Sequence, residues 1–160
     1  MAGILFTDNK LVLSGYNQHK FTMTGIGGKK KHDELPHQTA VREMLEELFE
    51  FVEIPETLIR VIHASLSFDK LICTKNYTTF VMSFQDLDKI FGFIRMVGNL
   101  TSRVYDVIPL NIHDLIFLRK IDVGAEFSHL GLIPCSYNIS LDRHFIHDIY
   151  AFKNCGRYLM

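Results

Sequence analysis

Between Gly28 and Glu47 the chain reads GKKKHDELPHQTAVREMLEE. On a helix, Glu43 and Glu47 would stand one turn apart with Glu46 beside them. Carboxylates that close raise each other's pKa unless a cation lies between them. Mg²⁺ and Mn²⁺ prefer such oxygen ligands and keep waters that can be activated. Directly upstream, Gly27 and Gly28 let the backbone approach a ligand closely, and Lys29, Lys30 and Lys31 offer point charges for phosphate oxygens. Metal-binding carboxylates facing a phosphate-binding turn are the equipment for hydrolysing a phosphoanhydride. Arg42, at the edge of the acidic face, can pair with Glu34 and hold the turn against the helix. Each piece alone has a plainer reading: a solvated helical face, a surface loop, an ordinary turn. Their joint spacing is what argues for a site.

Those residues need a helix that starts at Pro36. Val41, Met44, Leu45, Leu48 and Val52 recur at the spacing of one buried face, which directs Glu43, Glu46, Glu47 and Glu50 the other way. Leading in, residues 3–7, the turn 8–10 and residues 11–15 read as a β-hairpin, and 21–24 as the strand before the glycine turn. Beyond the helix, 59–68 and 77–84 alternate as two strands, 104–110 reads as a short strand and 112–118 as a helix. Leu141, Phe145, Ile149 and Phe152 give the tail a helical pattern. The longest irregular stretch expected is 122–138.

The segment resembles the Nudix box, G-x5-E-x7-R-E-U-x-E-E-x-G-U, where U is a bulky apolar residue. Gly28, Glu34, Arg42, Glu43, Met44, Glu46 and Glu47 match, while Phe49 stands at the glycine and Glu50 at the last apolar position. A glycine there would end the helix in a left-handed cap. Phenylalanine resists that conformation, so the helix is expected to run on about one more turn and to stop before Pro55. The resemblance implies an α/β fold, the Nudix α/β/α sandwich with a mixed sheet and a catalytic strand-loop-helix.

It also implies a hydrolase of phosphoanhydride bonds acting on a nucleoside diphosphate linked to some group X. Mg²⁺ or Mn²⁺ would be held by Glu43, Glu46, Glu47 and the carbonyl of Gly27. Glu46 is the first candidate for the base that activates water and Glu43 the second. A further acid is expected from a later loop, with Asp106 the choice and Asp86 and Asp88 its rivals. Thr24, Gly28 and the three lysines would face substrate. Two subgroups are similar: the viral mRNA-decapping enzymes, through the lysine-rich turn and the regions after the helix, and the enzymes that hydrolyse oxidised purine triphosphates. In the latter, Thr24-Gly25-Ile26-Gly27-Gly28-Lys29 resembles N-G-F-G-G-K, with Thr24 replacing a base-contacting asparagine. Capped RNA is the favoured ligand, although a net charge of −1 offers RNA no basic path. A non-catalytic nucleotide- or RNA-binding module is the third reading, and retention of all three box glutamates counts against it. Members of the family often pair, so a homodimer is a candidate assembly.

Composition sets bounds. With 160 residues and 48% hydrophobic content, the chain has apolar material for a core, and a single domain over 1–160 is expected. The apolar start lacks a basic flank and is broken by Asp8, so it is not read as a signal peptide. No run approaches a membrane span. Cys73, Cys135 and Cys155 are odd in number and lack paired spacing, which favours a reducing, cytoplasmic setting. The histidines show no tight metal spacing apart from His144 and His147, and a zinc site is not expected there. His32 lies in the box loop as a phosphate-contact candidate. Phe6, Phe21, Tyr77, Phe80 and Phe127 could stack on a base, though each is more simply read as core.

Overall fold

The computed structural model describes residues 1–136 together with Phe145 and Ile149. Strands β1 (Ala2–Phe6), β2 (Leu11–Asn17), β3 (Thr22–Thr24) and β4 (Ile26–Gly28) come first. Helix α1 (Pro36–Met44) follows and passes into a π-helical turn over Leu45–Phe49. Then come α2 (Glu56–Ser65), β5 (Leu71–Cys73), β6 (Thr78–Met82), α3 (Phe84–Val97), α4 (Ile112–Phe117) and β7 (Phe127–Pro134). One sheet has the order β4-β1-β6-β5, with β1 parallel to β6 and antiparallel to β4. The other is antiparallel, in the order β3-β2-β7. The α/β class, the mixed sheet and the strand-loop-helix are as expected.

Strand β1 is buried along its whole length because each face meets a different apolar cluster. Ala2, Ile4 and Phe6 face the larger core with Val41, Met44, Leu45 and Leu48 of the helix and Leu87, Ile90 and Phe91 of α3. Leu5 faces the smaller one with Val12, Val81, Ile133, Phe145 and Ile149. The glycine turn is pinned to this central strand, since Gly27 pairs with Gly3 and Gly28 with Ala2. Glycine turn and acidic helix are thus anchored to a strand that is buried along its whole length.

Several expectations are corrected. Residues 59–68 are not a strand: α2 opens at Pro55, and Leu58 and Ile62, four apart, are its buried residues. The apolar residues there satisfy both periods, and the proline before an acidic first turn marks a helix start. Residues 104–110 form a loop, not a strand, although Val104 and Tyr105 are buried. The strand at 77–84 ends at Met82, where Ser83 and Asp86 make a capping box that opens α3. The stretch 122–138 is not irregular throughout, because β7 pairs with the whole of β2; Gly131 and Pro134 had masked its alternation. Strands β1 and β2 follow one another through the turn 8–10, closed by the Asp8 carboxylate, yet they enter different sheets. Val52 is 67% exposed, outside the helix's buried face. Of the tail helix, Phe145 and Ile149 are helical and buried. Leu141, Phe152, His144, His147 and Cys155 lie outside the described residues.

Candidate active site

The front of α1 is held by contacts between near neighbours in sequence. Pro36 occupies the first helical turn and Gln38 Oε1 accepts from the Leu35 N–H at 2.7 Å. Arg42 forks onto Glu34, Nε to Oε1 at 2.6 Å and Nη2 to Oε2 at 3.0 Å. Glu34 also accepts from Thr39 Oγ1 and from the Lys31 N–H, each at 2.9 Å. The Arg42 guanidinium beside Glu34 brings its carboxyl down to about 2. Arg42 Nη2 donates to the Lys29 carbonyl at 2.9 Å, tying the lysine loop down. The scaffold role read from the sequence for this pair is matched by these distances.

Behind that pair lie the carboxylates. Arg42 Nη1 bridges Glu43 Oε1 at 2.8 Å and Glu46 Oε2 at 2.9 Å, and Lys31 Nζ reaches Glu46 Oε1 at 3.3 Å. Glu47 is buried and accepts the Gly27 N–H at 2.7 Å. Burial pushes its carboxyl well up, and the charge of Glu126 beside it adds to the rise. Burial likewise raises Glu43, with Glu46 and Glu126 contributing repulsion. Glu126 stands just before β7 and is steadied by Asn17 Nδ2 at 2.9 Å. It is an acid from a later loop that stands beside the box glutamates, whereas the sequence reading looked to Asp106 for such a group. Asp106 is instead paired with Lys120 at 2.6 Å with its side chain 80% exposed, because 104–110 is a surface loop. Asp86 serves the α3 cap, and Asp88 is exposed. Only an unrecognised β7 hid Glu126, whose position is set by pairing with β2.

The two glycines are tightly enclosed. A Cβ on Gly28 would lie 2.6 Å from the Glu43 carboxylate, and Gly27 has φ +145°, which L side chains rarely adopt. Any larger residue at 28 would push Glu43 away from its neighbours.

The back of the helix ends differently from expectation. It does not run on past Phe49. A π-helical turn widens it, and Glu50 takes the left-handed conformation at φ 47°, ψ 44°. Phe49 stays buried, stacked on Phe51 and edge-on to Phe91. The carbonyls freed by the wider turn find distant donors. Arg119 gives Nη1 to the Leu48 carbonyl at 2.8 Å and Nη2 to the Glu47 carbonyl at 3.1 Å. The same Nη2 donates to the Phe127 carbonyl at 3.1 Å. Ser102 Oγ donates to the Phe49 carbonyl, and Arg103 pairs with the buried Glu50 carboxylate through Nη2. Glu50 is therefore a structural group here, not part of the acidic face. Arg119 grips the backbone of Glu47 and the residue after Glu126, so it fixes how those two acids meet.

Next to the cluster opens a cleft of about 780 Å³. Gly27, Gly28, Glu43 and Glu126 line it together with Thr24, Lys20, Lys29 and the turn Thr74–Tyr77. Of the three loop lysines only Lys29 lines it, Lys30 being exposed and Lys31 engaged with Glu46. His32 is exposed and paired with Asp33. Among the stacking candidates Tyr77 borders the cleft, while Phe6, Phe80 and Phe127 are core and Phe21 is exposed.

Glu43, Glu46, Glu47 and Glu126 carry the oxygen ligands that a divalent ion prefers, and burial first, with mutual repulsion second, raises the Glu43 and Glu47 carboxyls. Among the described residues no three acidic, histidine or cysteine side chains are grouped as a ready metal site. Arg42 and Lys31 occupy the Glu43 and Glu46 oxygens in this conformation.

No protein-family model and no curated protein matches the sequence. Solved structures resemble it overall, two of them as follows. One is a bifunctional NMN adenylyltransferase/ADP ribose pyrophosphatase from Francisella tularensis, 13% identical with a TM-score of 0.49. The match covers 96% of this chain and 40% of that one, so this chain spans less than half its length. The other is a NUDIX-family hydrolase from Clostridium perfringens, 12% identical with a TM-score of 0.43, covering 92% of this chain and 91% of that one. Likenesses this remote assign no activity to this chain.

Proposed function

We propose that this chain is a divalent-metal-dependent hydrolase of the Nudix type that cleaves a phosphoanhydride in a nucleotide-like diphosphate. The observation that carries the reading is that Glu43, Glu47 and Glu126 interact with one another, and that Glu43 and Glu126 line one cleft with Gly27 and Gly28. Glu43, Glu46, Glu47 and Glu126 would hold Mg²⁺ or Mn²⁺, with the Gly27 carbonyl as a further oxygen. When bound, the ion supplies charge for the phosphate oxygens and acidifies water. Glu46, the most exposed of the box acids at 39% of its side chain, is the candidate base; Glu43 is the second. Lys29 would meet phosphate at the cleft, Gly28 would allow close approach, and Thr24, which lines the same cleft, would face substrate. Lys30 and Lys31 stand outside it, and Lys31 screens Glu46. Asp106 is given no part.

A cleft of about 780 Å³ has the size of a small nucleotide. A capped mRNA end, favoured by the sequence, and an oxidised purine triphosphate are competing arms of one test. Capped RNA, modified and plain nucleoside triphosphates and dinucleoside polyphosphates are incubated with Mg²⁺ or Mn²⁺. Hydrolysis of at least one is expected, falling about 10²–10⁴-fold in Glu46→Gln or Glu43→Gln. No turnover of any member at high enzyme concentration would sink the reading. Among the described residues no helix is long and apolar enough to cross a membrane.

A further inference from the structure

Three lysines line the cleft together with two acids, Glu43 and Glu126. Lys20 comes from the turn between β2 and β3, Lys29 from the loop after β4, and Lys75 from the turn between β5 and β6. These are three separate segments, and the pairing of β4 and β6 with β1 brings two of them together. All three lysines are exposed, and among the described residues none has an ion-pair partner. Of the two acids in the lining, Glu43 is paired with Arg42, whereas Glu126 is held by the neutral Asn17 amide and lies beside Glu47, whose charge repels its own. In a chain of net charge −1, three ammonium groups without an ion-pair partner stand around one cleft, and Glu126 offsets the charge of one of them. Thr74 and Asn76 flank Lys75 and add polar groups to the same wall.

The scissile diphosphate does not account for all three. Its charge falls to the carboxylate-held ion and to Lys29 at the glycine turn. Lys20 and Lys75 lie outside the box, and a neutral sugar or an apolar group would leave both without a partner. Ammonium groups bind phosphate as mobile point charges and so tolerate ligands of varied shape. We infer that the cleft takes a small substrate whose group X itself carries phosphate, with Lys20 and Lys75 selecting for the added charge. The inference rests on the hydrolase reading for its chemistry and on the cleft alone for its selectivity. The volume, about 780 Å³, suits one nucleotide-sized molecule.

Selectivity can be measured apart from turnover. Calorimetry on Glu46→Gln compares ADP-glucose, ATP and adenosine 5′-tetraphosphate in Mg²⁺, with the guanosine series in parallel. Affinity is expected to climb along the series, and the tetraphosphate-to-ADP-glucose ratio to fall about tenfold in Lys20→Ala and in Lys75→Ala. Lys75→Arg should restore most of the ratio. Lys10→Ala, an exposed turn lysine outside the cleft, should leave it alone. An unchanged ratio in both lysine variants overturns the inference while hydrolysis by the wild type still supports the proposed activity. Lysine-dependent binding of a capped RNA without binding of the tetraphosphate overturns it in favour of an RNA ligand. Absence of wild-type hydrolysis, with the affinity series intact, removes the enzyme and keeps the selectivity.

Discussion

The two ends of α1 are built on opposite principles. At the front, Glu34, Lys31, Thr39 and Arg42 satisfy one another within a dozen residues. At the back, the carbonyls of Glu47, Leu48 and Phe49 depend on Ser102 and Arg119, and Glu50 depends on Arg103. Both ends serve the same carboxylates. The front positions Glu43 and Glu46 through Arg42, whereas the back positions Glu47 against Glu126 through Arg119. An acidic helix can therefore carry a local signature at one end and be completed at the other by residues more than fifty positions away. The glycine missing at position 49 is replaced by partners from elsewhere in the chain, and one residue later Glu50 adopts the left-handed conformation.

The largest effect that separates the ends is expected at Glu34. Its folded pKa, about 2, is below the ordinary value of 4.5. Its contribution is thus fully present above about pH 4.5 and is lost as pH falls towards 2. The shift corresponds to about 3 kcal/mol as an upper figure. Denaturant melts of Glu34→Gln should lie below the wild type at pH 7 and converge with it near pH 2. A constant gap across that window would show that the front is not held by this ion pair.

At the back, Arg119→Lys keeps the charge but cannot fork between the π-turn carbonyls and Phe127. Unsatisfied carbonyls cost about 1–3 kcal/mol, and displaced ligands should weaken Mn²⁺ binding about 10–100-fold. Titration of the apoprotein followed by Mn²⁺ resonance reads the second effect directly. If stability falls and Mn²⁺ affinity does not, Arg119 braces the fold without setting the Glu47–Glu126 pair.

The smallest contrast is at Glu50. Both Glu50→Gly and Glu50→Ala lose the Arg103 pair, but only glycine relieves the left-handed backbone, so the glycine variant should be the more stable by about 1 kcal/mol. Equal melting temperatures would mean that the π-helical turn relaxes when Glu50 is replaced.

Sequence reading succeeded where the signal was local. The helix start at Pro36, the Glu34–Arg42 pair and the buried residues Val41, Met44, Leu45 and Leu48 could all be read from spacing alone. It failed at α2, where one apolar run satisfied two periods, and at β7, where Gly131 and Pro134 broke the alternation. Losing β7 also lost Glu126, and the search for a later acid went to Asp106, which the fold leaves on the surface.

By itself the sequence determined the carboxylates, the glycine turn and the arginine that joins them, because 3.6-residue periodicity and short-range ion pairing need no knowledge of the rest of the chain. Only the tertiary structure decided that Glu50 turns inward, that Glu126 joins the cluster, and that Lys20 and Lys75 share a cleft with the box. Those depend on strand pairing and on donors brought from distant segments. The number of residues between such partners carries no information about the distance between them once the sheet has formed.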